Sequence, residues 1–361
     1  MTIQGHSTEF WHRLDDGRIQ CDACPRFCKL RKGQRGLCFV RGSDGDEIVL
    51  TTYGRSSGFC IDPIEKKPLY HFLPGTPVLS FGTAGCNIAC KFCQNWDMTR
   101  SREFDRLQEE ASPEQIANAA VSNGCRSVAY TYNDPIIFLE YACDVAEACH
   151  NHGVRNVAVT NGYITDEARE VFFAPIDAAN VDLKAFTDRF YWKICGAHLE
   201  PVLETIEYLR HETDVWLELT TLLIPGENDA ENEIDEMTQW IAERLGPDVP
   251  LHFSAFHPDW KMMDIPPTPL QTLRRSREIA LRNGLHYVYT GNVRDFPSSS
   301  TYCHSCGETL IGRDGYELST WNIDQAGGRA ACMSCRAEVA GLFDSKPGNW
   351  GSRRRPVRIA A

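Results

Sequence analysis

The chain is predicted to be an α/β protein: an incompletely closed barrel of βα units with small cysteine-rich regions at both ends. Three observations predict it. Short apolar runs of strand character alternate with helical stretches over residues 76–298, and that alternation means βαβ units and a parallel sheet. Six or seven units fit into about 210 residues, short of the roughly 250 a complete eight-unit barrel needs. An open doubly wound sheet is the structural rival. Outside this stretch, in 1–75 and 299–361, the alternation is absent and cysteines gather in tight groups.

The elements follow in order. Region 1–75 lacks long periodic segments; it holds the first cysteine group, a Gly-rich stretch and the turn-rich DPIEKKPLYHFLPGTP. VLSF (78–81) is the first strand of the series. Ser112-Pro113-Glu114-Gln115 supplies an N-cap, a proline at the first helical position and a capping-box partner. SVAYTY (127–132) is the next strand. Ile136, Leu139, Cys143 and Ala146 then recur at helical spacing over 135–151, and Gly153 stops that helix. Further strands are VRNVAVT (154–160), ANVDL (179–183), VWLELTTLL (215–223), LHFSAF (251–256) and HYVY (286–289). Helices fit 165–173, 201–212, 230–245 and 269–283. The end, GNWGSRRRPVRIAA, with Arg353, Arg354, Arg355 and Arg358, reads as a flexible tail.

A length of 361 residues allows two or three domains and a sizeable core. Lys plus Arg is 37 against 49 Asp plus Glu, a formal charge of −12. That balance argues against non-specific binding to duplex DNA or to anionic membranes, although a local basic groove is compatible with it. No apolar stretch is long enough to span a bilayer, and the polar N-terminus carries no secretory segment. A cytoplasmic protein with no membrane partner is expected.

Eleven of the sixteen cysteines lie in tight groups. Without a secretory signal, such groups point to thiolate metal ligation in a reducing compartment rather than to disulfides. Cys60, Cys125, Cys143, Cys149 and Cys195 are scattered and read as small buried apolar residues, with Cys60, in a loop-like passage, a candidate redox-active thiol.

The decisive stretch is FGTAGCNIACKFCQNWD (81–97), with Cys86, Cys90 and Cys93 spaced C-x-x-x-C-x-x-C. It follows the first strand, so it falls at the carboxyl end of the barrel, the face on which βα barrels build active sites. A structural zinc normally takes four protein ligands, and an electron-transfer 4Fe–4S cluster usually takes four thiolates. Three thiolates leave one iron open to a chelating co-substrate. A zinc site completed by a distant residue is the alternative.

This stretch resembles the signature of the radical S-adenosylmethionine superfamily, including the aromatic Phe92 before the third cysteine. Residues 76–295 resemble pyruvate formate-lyase activating enzymes. Nearly the whole chain resembles the radical enzyme of the AmmeMemoRadiSam system, through CDACPRFCKLRKGQRGLC, DPIEKKPLYHFLPG, TYNDP, VTNGY, DLKAF, LLIPGEND, SAFHPD and the trailing cysteine pairs. The resemblance implies a partial (β/α)6-type TIM barrel of the radical SAM class, one 4Fe–4S cluster on Cys86, Cys90 and Cys93, and S-adenosylmethionine. It makes Asn133, Asp134, Asn161, Asp182, Lys184 and His257 candidate cofactor-binding residues. In the family a Gly-Gly-Glu motif often stands where this chain has Asn133-Asp134. The resemblance also implies that the passage with Lys66, Lys67 and His71 packs near the cluster.

Bland readings stand beside these. Asp182 and Lys184 share a strand face and make a structural ion pair equally well. His257 reads equally as a satisfied loop histidine, and Asn161-Gly162 as a turn. Glu218 and Thr220 can face the barrel interior, in which case Glu218 needs a partner.

Cys303 and Cys306 with Cys332 and Cys335 form two C-x-x-C pairs, the pattern of a zinc ribbon holding one ion. Cys21, Cys24, Cys28 and Cys38 suit either a structural zinc or an auxiliary iron–sulfur cluster. Arg26, Lys29, Arg31, Lys32, Arg35 and Arg41 lie in the same stretch, either as a phosphate- or RNA-binding patch or as a solvated face.

The expected function is reductive cleavage of S-adenosylmethionine to a 5′-deoxyadenosyl radical acting on an unidentified substrate: protein, RNA or small molecule. A low-potential electron donor is implied. The alternatives are a glycyl-radical activating enzyme and, in another class, a non-catalytic zinc-binding adaptor.

Overall fold

The computed structural model describes residues 3–100, 109–326 and 329–359. Its centre is a nine-stranded sheet. We label its strands β1 (Phe59–Pro63), β2 (Pro77–Phe81), β3 (Ser127–Tyr130), β4 (Arg155–Thr160), β5 (Ala178–Asp182), β6 (Trp216–Leu223), β7 (Leu251–Ala255), β8 (Val288–Gly291) and β9 (Arg355–Val357). The order is β8-β7-β6-β5-β4-β3-β2-β1-β9. Strands β2 to β8 run parallel in sequence order, while β1 and β9 are antiparallel additions beyond β2. Among the described residues no pairing joins β8 to β9, so the barrel is open.

The connecting helices are α1 (Pro113–Ser122), α2 (Leu139–Asn151), α3 (Asp166–Phe173), α4 (Glu200–His211), α5 (Glu231–Arg244) and α6 (Leu270–Arg282). Both halves of the Ser112/Gln115 capping box form at the start of α1. The helix expected from residue 135 opens instead with a 3-10 turn, Pro135–Phe138. Proline at its first position and the Asp134 carboxylate accepting from the Ile136 N–H tighten that turn. Helix α2 buries Tyr141, Ala142, Val145, Ala146 and Cys149 against the sheet. Each large apolar side chain so buried contributes roughly 1.5–3 kcal/mol before conformational entropy is subtracted.

The N-terminal region forms two small antiparallel sheets, one around Ile19–Cys21 and one around Ile48–Leu50. The C-terminal region folds as hairpins, Thr309–Asp314 with Glu317–Trp321 and Ile323–Ala326 with Arg329–Cys332. These hairpins and the passage 64–76 close the amino end of the barrel. There Glu218 is fully buried and has the partners its charge requires. It accepts from the backbone N–H groups of Tyr70 (3.0 Å) and His71 (2.7 Å), from Trp216 Nε1 (3.0 Å) and from His252 Nε2 (2.7 Å). Arg313, also fully buried, donates to the Tyr70 carbonyl (2.8 Å) and to Thr301 Oγ1 (2.7 Å), and its guanidinium lies 4.3 Å from the Tyr70 ring centre.

The sequence expectations need four corrections. His71 does not pack near the cysteine loop. It sits in this floor, its Nδ1 2.6 Å from the Ala340 carbonyl and its Nε2 2.5 Å from the Tyr289 hydroxyl. A carbonyl only accepts, so Nδ1 carries the proton; burial pushes this imidazole down to about 4. Lys66 and Lys67 bind the buried Asp62 of β1 at 3.0 and 2.9 Å. The Arg-rich end is not a free tail, because Arg355–Val357 forms β9 on the outer edge of β1. An open strand edge leaves backbone donors and acceptors unpaired, and β9 satisfies them. Finally, the arginines of the first cysteine region are not all solvated. Arg41 is buried against Glu140, and Arg26 donates to the Asn87 carbonyl. Cys60 lies buried within β1 rather than in a loop.

Candidate metal centre and cofactor site

The loop that carries Cys86, Cys90 and Cys93 leaves the carboxyl end of β2 and is fastened from four sides. From the β3 side comes Asn133, buried, whose Oδ1 accepts from the Thr83 N–H (3.2 Å) and whose Nδ2 donates to the Gly85 carbonyl (3.0 Å). A Cβ on Gly82 would lie 2.3 Å from the Thr131 carbonyl oxygen, so only glycine lets the two segments approach this closely. From the segment after β5, the carbonyls of Cys195 and Ile194 accept from the N–H groups of Ala89 (2.6 Å) and Lys91 (3.0 Å). Beyond β7, the Lys261 N–H donates to the Lys91 carbonyl (3.1 Å). From the N-terminal region, Arg26 Nε donates to the Asn87 carbonyl (3.0 Å).

All sixteen cysteines are free thiols. Cys93 Sγ lies 3.3 Å from Thr99 Oγ1, and Cys86 Sγ 4.0 Å from Asn161 Nδ2. Burial pushes the thiols of Cys86 and Cys93 up. A hydrogen bond with Cys195 does the same for Cys90, with burial adding to it. Cys195 is the neighbour that sequence reasoning missed. It is buried, as expected, yet it lies beside a cluster cysteine 105 positions away, and no spacing or periodicity signals that.

The predicted cofactor residues fall into two groups. Asp134, Asn161, Asp182 and Lys184 gather around the loop with Asn133. Asp134 is buried, with its carboxylate accepting from the Asn161 N–H (2.7 Å), the Ile136 N–H (3.0 Å) and Thr160 Oγ1 (3.1 Å). Burial still pushes it up to about 6 against those bonds. Asn161 Nδ2 donates to Asn87 Oδ1 (2.9 Å) and its Oδ1 accepts from the Tyr163 N–H (2.9 Å). Lys184 Nζ binds Asp182 at 2.8 Å and stands 5.9 Å from the Phe92 ring centre. Burial opposes its charge most strongly, but Asp182 together with the Cys90 and Cys195 sulfurs outweighs it and holds the ammonium above the usual lysine range. His257 is instead exposed, with Nδ1 3.4 Å from the Pro258 carbonyl.

The spacing of the sulfurs separates two kinds of metal site. A single tetrahedral ion with metal–sulfur bonds of about 2.3 Å sets its thiolates about 3.8 Å apart. Cys303 to Cys335 is 3.6 Å and Cys306 to Cys332 is 3.8 Å, and all four sulfurs lie within 4.8 Å of one another. The two C-x-x-C pairs therefore converge on one metal-sized position. Among the described residues, Cys86, Cys90 and Cys93 do not form such a set. Wider separation is what a cluster requires, because each thiolate sits on a different iron. Two buried hydroxyls at the same end have no partner among the described residues, Thr83 Oγ1 in the loop and Thr220 Oγ1, in register with Asp182. They fit a polar co-substrate beside the loop.

Comparison with known proteins agrees with this chemistry. The Radical SAM superfamily model matches residues 81–240. The chain belongs to the radical SAM superfamily. An uncharacterized protein of Methanocaldococcus jannaschii is 39% identical over 330 residues, 91% of this chain and 97% of that protein. A 4-hydroxyphenylacetate decarboxylase activating enzyme of Clostridioides difficile is 22% identical over 61% of this chain and 70% of its own length. A crystallised domain of a pyruvate-formate lyase-activating enzyme from Bacteroides vulgatus is 18% identical, covering 46% of this chain and 99% of that domain at a TM-score of 0.41. Among the described residues no helix is long and apolar enough to cross a membrane.

Proposed function

We propose that Cys86, Cys90 and Cys93 hold a 4Fe–4S cluster and that the chain uses it, with S-adenosylmethionine and a low-potential electron donor, on a substrate still to be identified. Bound together, these groups supply a one-electron cleavage of the sulfonium to methionine and a 5′-deoxyadenosyl radical, which takes hydrogen from the substrate. The observation that carries the reading is the three-thiol loop, clamped at the carboxyl end with sulfurs too far apart for one ion.

The chain's own residues have distinct roles in this proposal. Asn133 and Asn161 hold the loop's shape through its backbone and Asn87. Asp134, Asp182 and Lys184 present charge at the strand ends, where the amino, carboxylate and ribose groups of the co-substrate need partners. Thr83 and Thr220 offer free hydroxyls. His257, exposed after β7, is a further candidate partner for the co-substrate. The ribbon cysteines Cys303, Cys306, Cys332 and Cys335 hold a zinc ion, which their tetrahedral spacing supports. The reading places the protein in the cytoplasm, where thiols stay reduced.

The similarity to activating enzymes supports a second reading, in which the substrate is a partner protein that receives a glycyl radical. The resemblance to AmmeMemoRadiSam enzymes leaves the substrate class open. Anaerobic reconstitution followed by reduction tests the chemistry. The expected result is 5′-deoxyadenosine and methionine, both lost with the brown chromophore in Cys90→Ala. A protein that binds three zinc ions and releases neither product is an adaptor, and the proposal fails.

A further inference from the structure

The N-terminal cysteine group differs in geometry from the C-terminal ribbon. Cys21 and Cys38 are buried and Cys24 and Cys28 half-buried. All four line one pocket, walled on one side by Ile136 and Ile137 from the turn before α2. Like the radical loop, and unlike the ribbon, they do not form a set with sulfurs all within 4.8 Å of one another, among the described residues. The ribbon shows what this fold does with a mononuclear site: it closes the thiols to 3.6 and 3.8 Å. The N-terminal four instead surround a space.

The pocket also contains an unanswered cation. Arg41 is 2% exposed, donates from Nε to the Ile137 carbonyl (3.0 Å) and pairs through Nη2 with Glu140, but its Nη1 is buried with no partner among the described residues. A buried donor without an acceptor is costly, the more so when it is charged. Four thiolates around an iron cluster carry net negative charge and sulfur acceptors, which would answer it. Ile136 and Ile137 give the pocket an apolar wall, and such a wall lowers the local dielectric around a metal group.

We infer that Cys21, Cys24, Cys28 and Cys38 ligate a second, auxiliary 4Fe–4S cluster rather than a zinc ion. It would share a wall with the radical site. Asn87, the neighbour of Cys86, lines the same pocket, and the Cys38 carbonyl presses on the backbone of Gly85. The inference does not depend on the reading of the radical loop, and the test separates them.

The full chain is reconstituted anaerobically with iron and sulfide, and metals are counted. Wild type is expected to hold about eight irons, two cubanes' worth, by chemical analysis and Mössbauer spectroscopy. The triple variant Cys86→Ala/Cys90→Ala/Cys93→Ala is expected to keep about four irons and a reducible brown chromophore that S-adenosylmethionine does not perturb. Cys24→Ala/Cys28→Ala loses the auxiliary cluster and keeps the one that responds to S-adenosylmethionine. Zinc in the N-terminal site of wild type, or a triple variant that folds and binds no iron, overturns the inference. Should a variant fail to fold, the Mössbauer count on wild type decides: one cluster per chain refutes it. Loss of the S-adenosylmethionine response in wild type would instead count against the radical reading alone.

Discussion

Replacing Gly85 by alanine tests how tightly the two cysteine regions are joined. Gly85 has φ of 88°, and a Cβ there would lie 2.0 Å from the Cys38 carbonyl oxygen and 3.4 Å from Ile137 Cδ1. The left-handed backbone costs an L-residue about 1–2 kcal/mol. The overlap is with a backbone atom, which cannot rotate away, and overpacking of that kind costs about 1–3 kcal/mol more. The two contributions give Gly85→Ala a loss of about 2–5 kcal/mol. Gly226→Ala is the control: its φ is 77°, but a Cβ there meets nothing within 4 Å, so only the backbone part applies. The assay is urea unfolding of the metal-free full chain followed by tryptophan fluorescence, with iron content measured separately after reconstitution. Gly85→Ala is expected to unfold at lower urea than the control and to retain less iron. If the two variants differ by less than about 0.5 kcal/mol, the Cys38 segment does not press on the radical loop, and the shared wall between the sites is wrong.

Three other outcomes follow from the barrel floor. Arg313→Met removes a fully buried cation with two hydrogen bonds and leaves Glu65 and Glu218 less compensated; a loss of about 3–5 kcal/mol in urea unfolding is expected, and an unchanged midpoint would disprove the network. Glu65 is buried, accepts from the Gly75 N–H at 2.7 Å, and is pushed up by burial from 4.5 to about 7. Its folded form holds the proton that the unfolded chain releases, so its contribution is full below pH 4.5 and is lost as pH rises to about 7, at about 1.4 kcal/mol per pH unit. Glu65→Gln should flatten that part of a stability-versus-pH curve, and an identical slope in both proteins contradicts it. Cys306→Ala/Cys335→Ala should lower bound zinc by one ion per chain and reduce thermal stability, since metal binding is folding energy in small sites; unchanged zinc content would rule out the ribbon site.

Much of the barrel is legible in the sequence because its strands are buried on both faces. Runs such as VLSF, VRNVAVT and VWLELTTLL are continuous apolar segments of strand length, and each lies within a residue or two of an observed strand. The Ser112 cap is local chemistry and forms as read. Strand β9 is invisible for the opposite reason: it is held by backbone pairing to β1, and RRRPV carries no apolar period to announce it. Long-range contacts are equally silent. Nothing near Cys195 marks it as a neighbour of Cys90, and nothing in Arg41 marks it as buried rather than solvated. The cysteine groups announce metals by spacing, but the choice between one ion and a cubane appears only when sulfur separations can be compared. Strand-end polar residues can be gathered from the βα alternation. His257, in the loop after β7, is exposed, and the alternation by itself does not say which way such a loop residue turns.

The ribbon has a consequence for traffic. With Arg313, His71, Tyr289 and Glu218 packed solid across its base, the barrel is a cup with a sealed bottom. On the proposed function, the reacting group therefore approaches from the carboxyl-end mouth or the open side between β8 and β9, not through this floor.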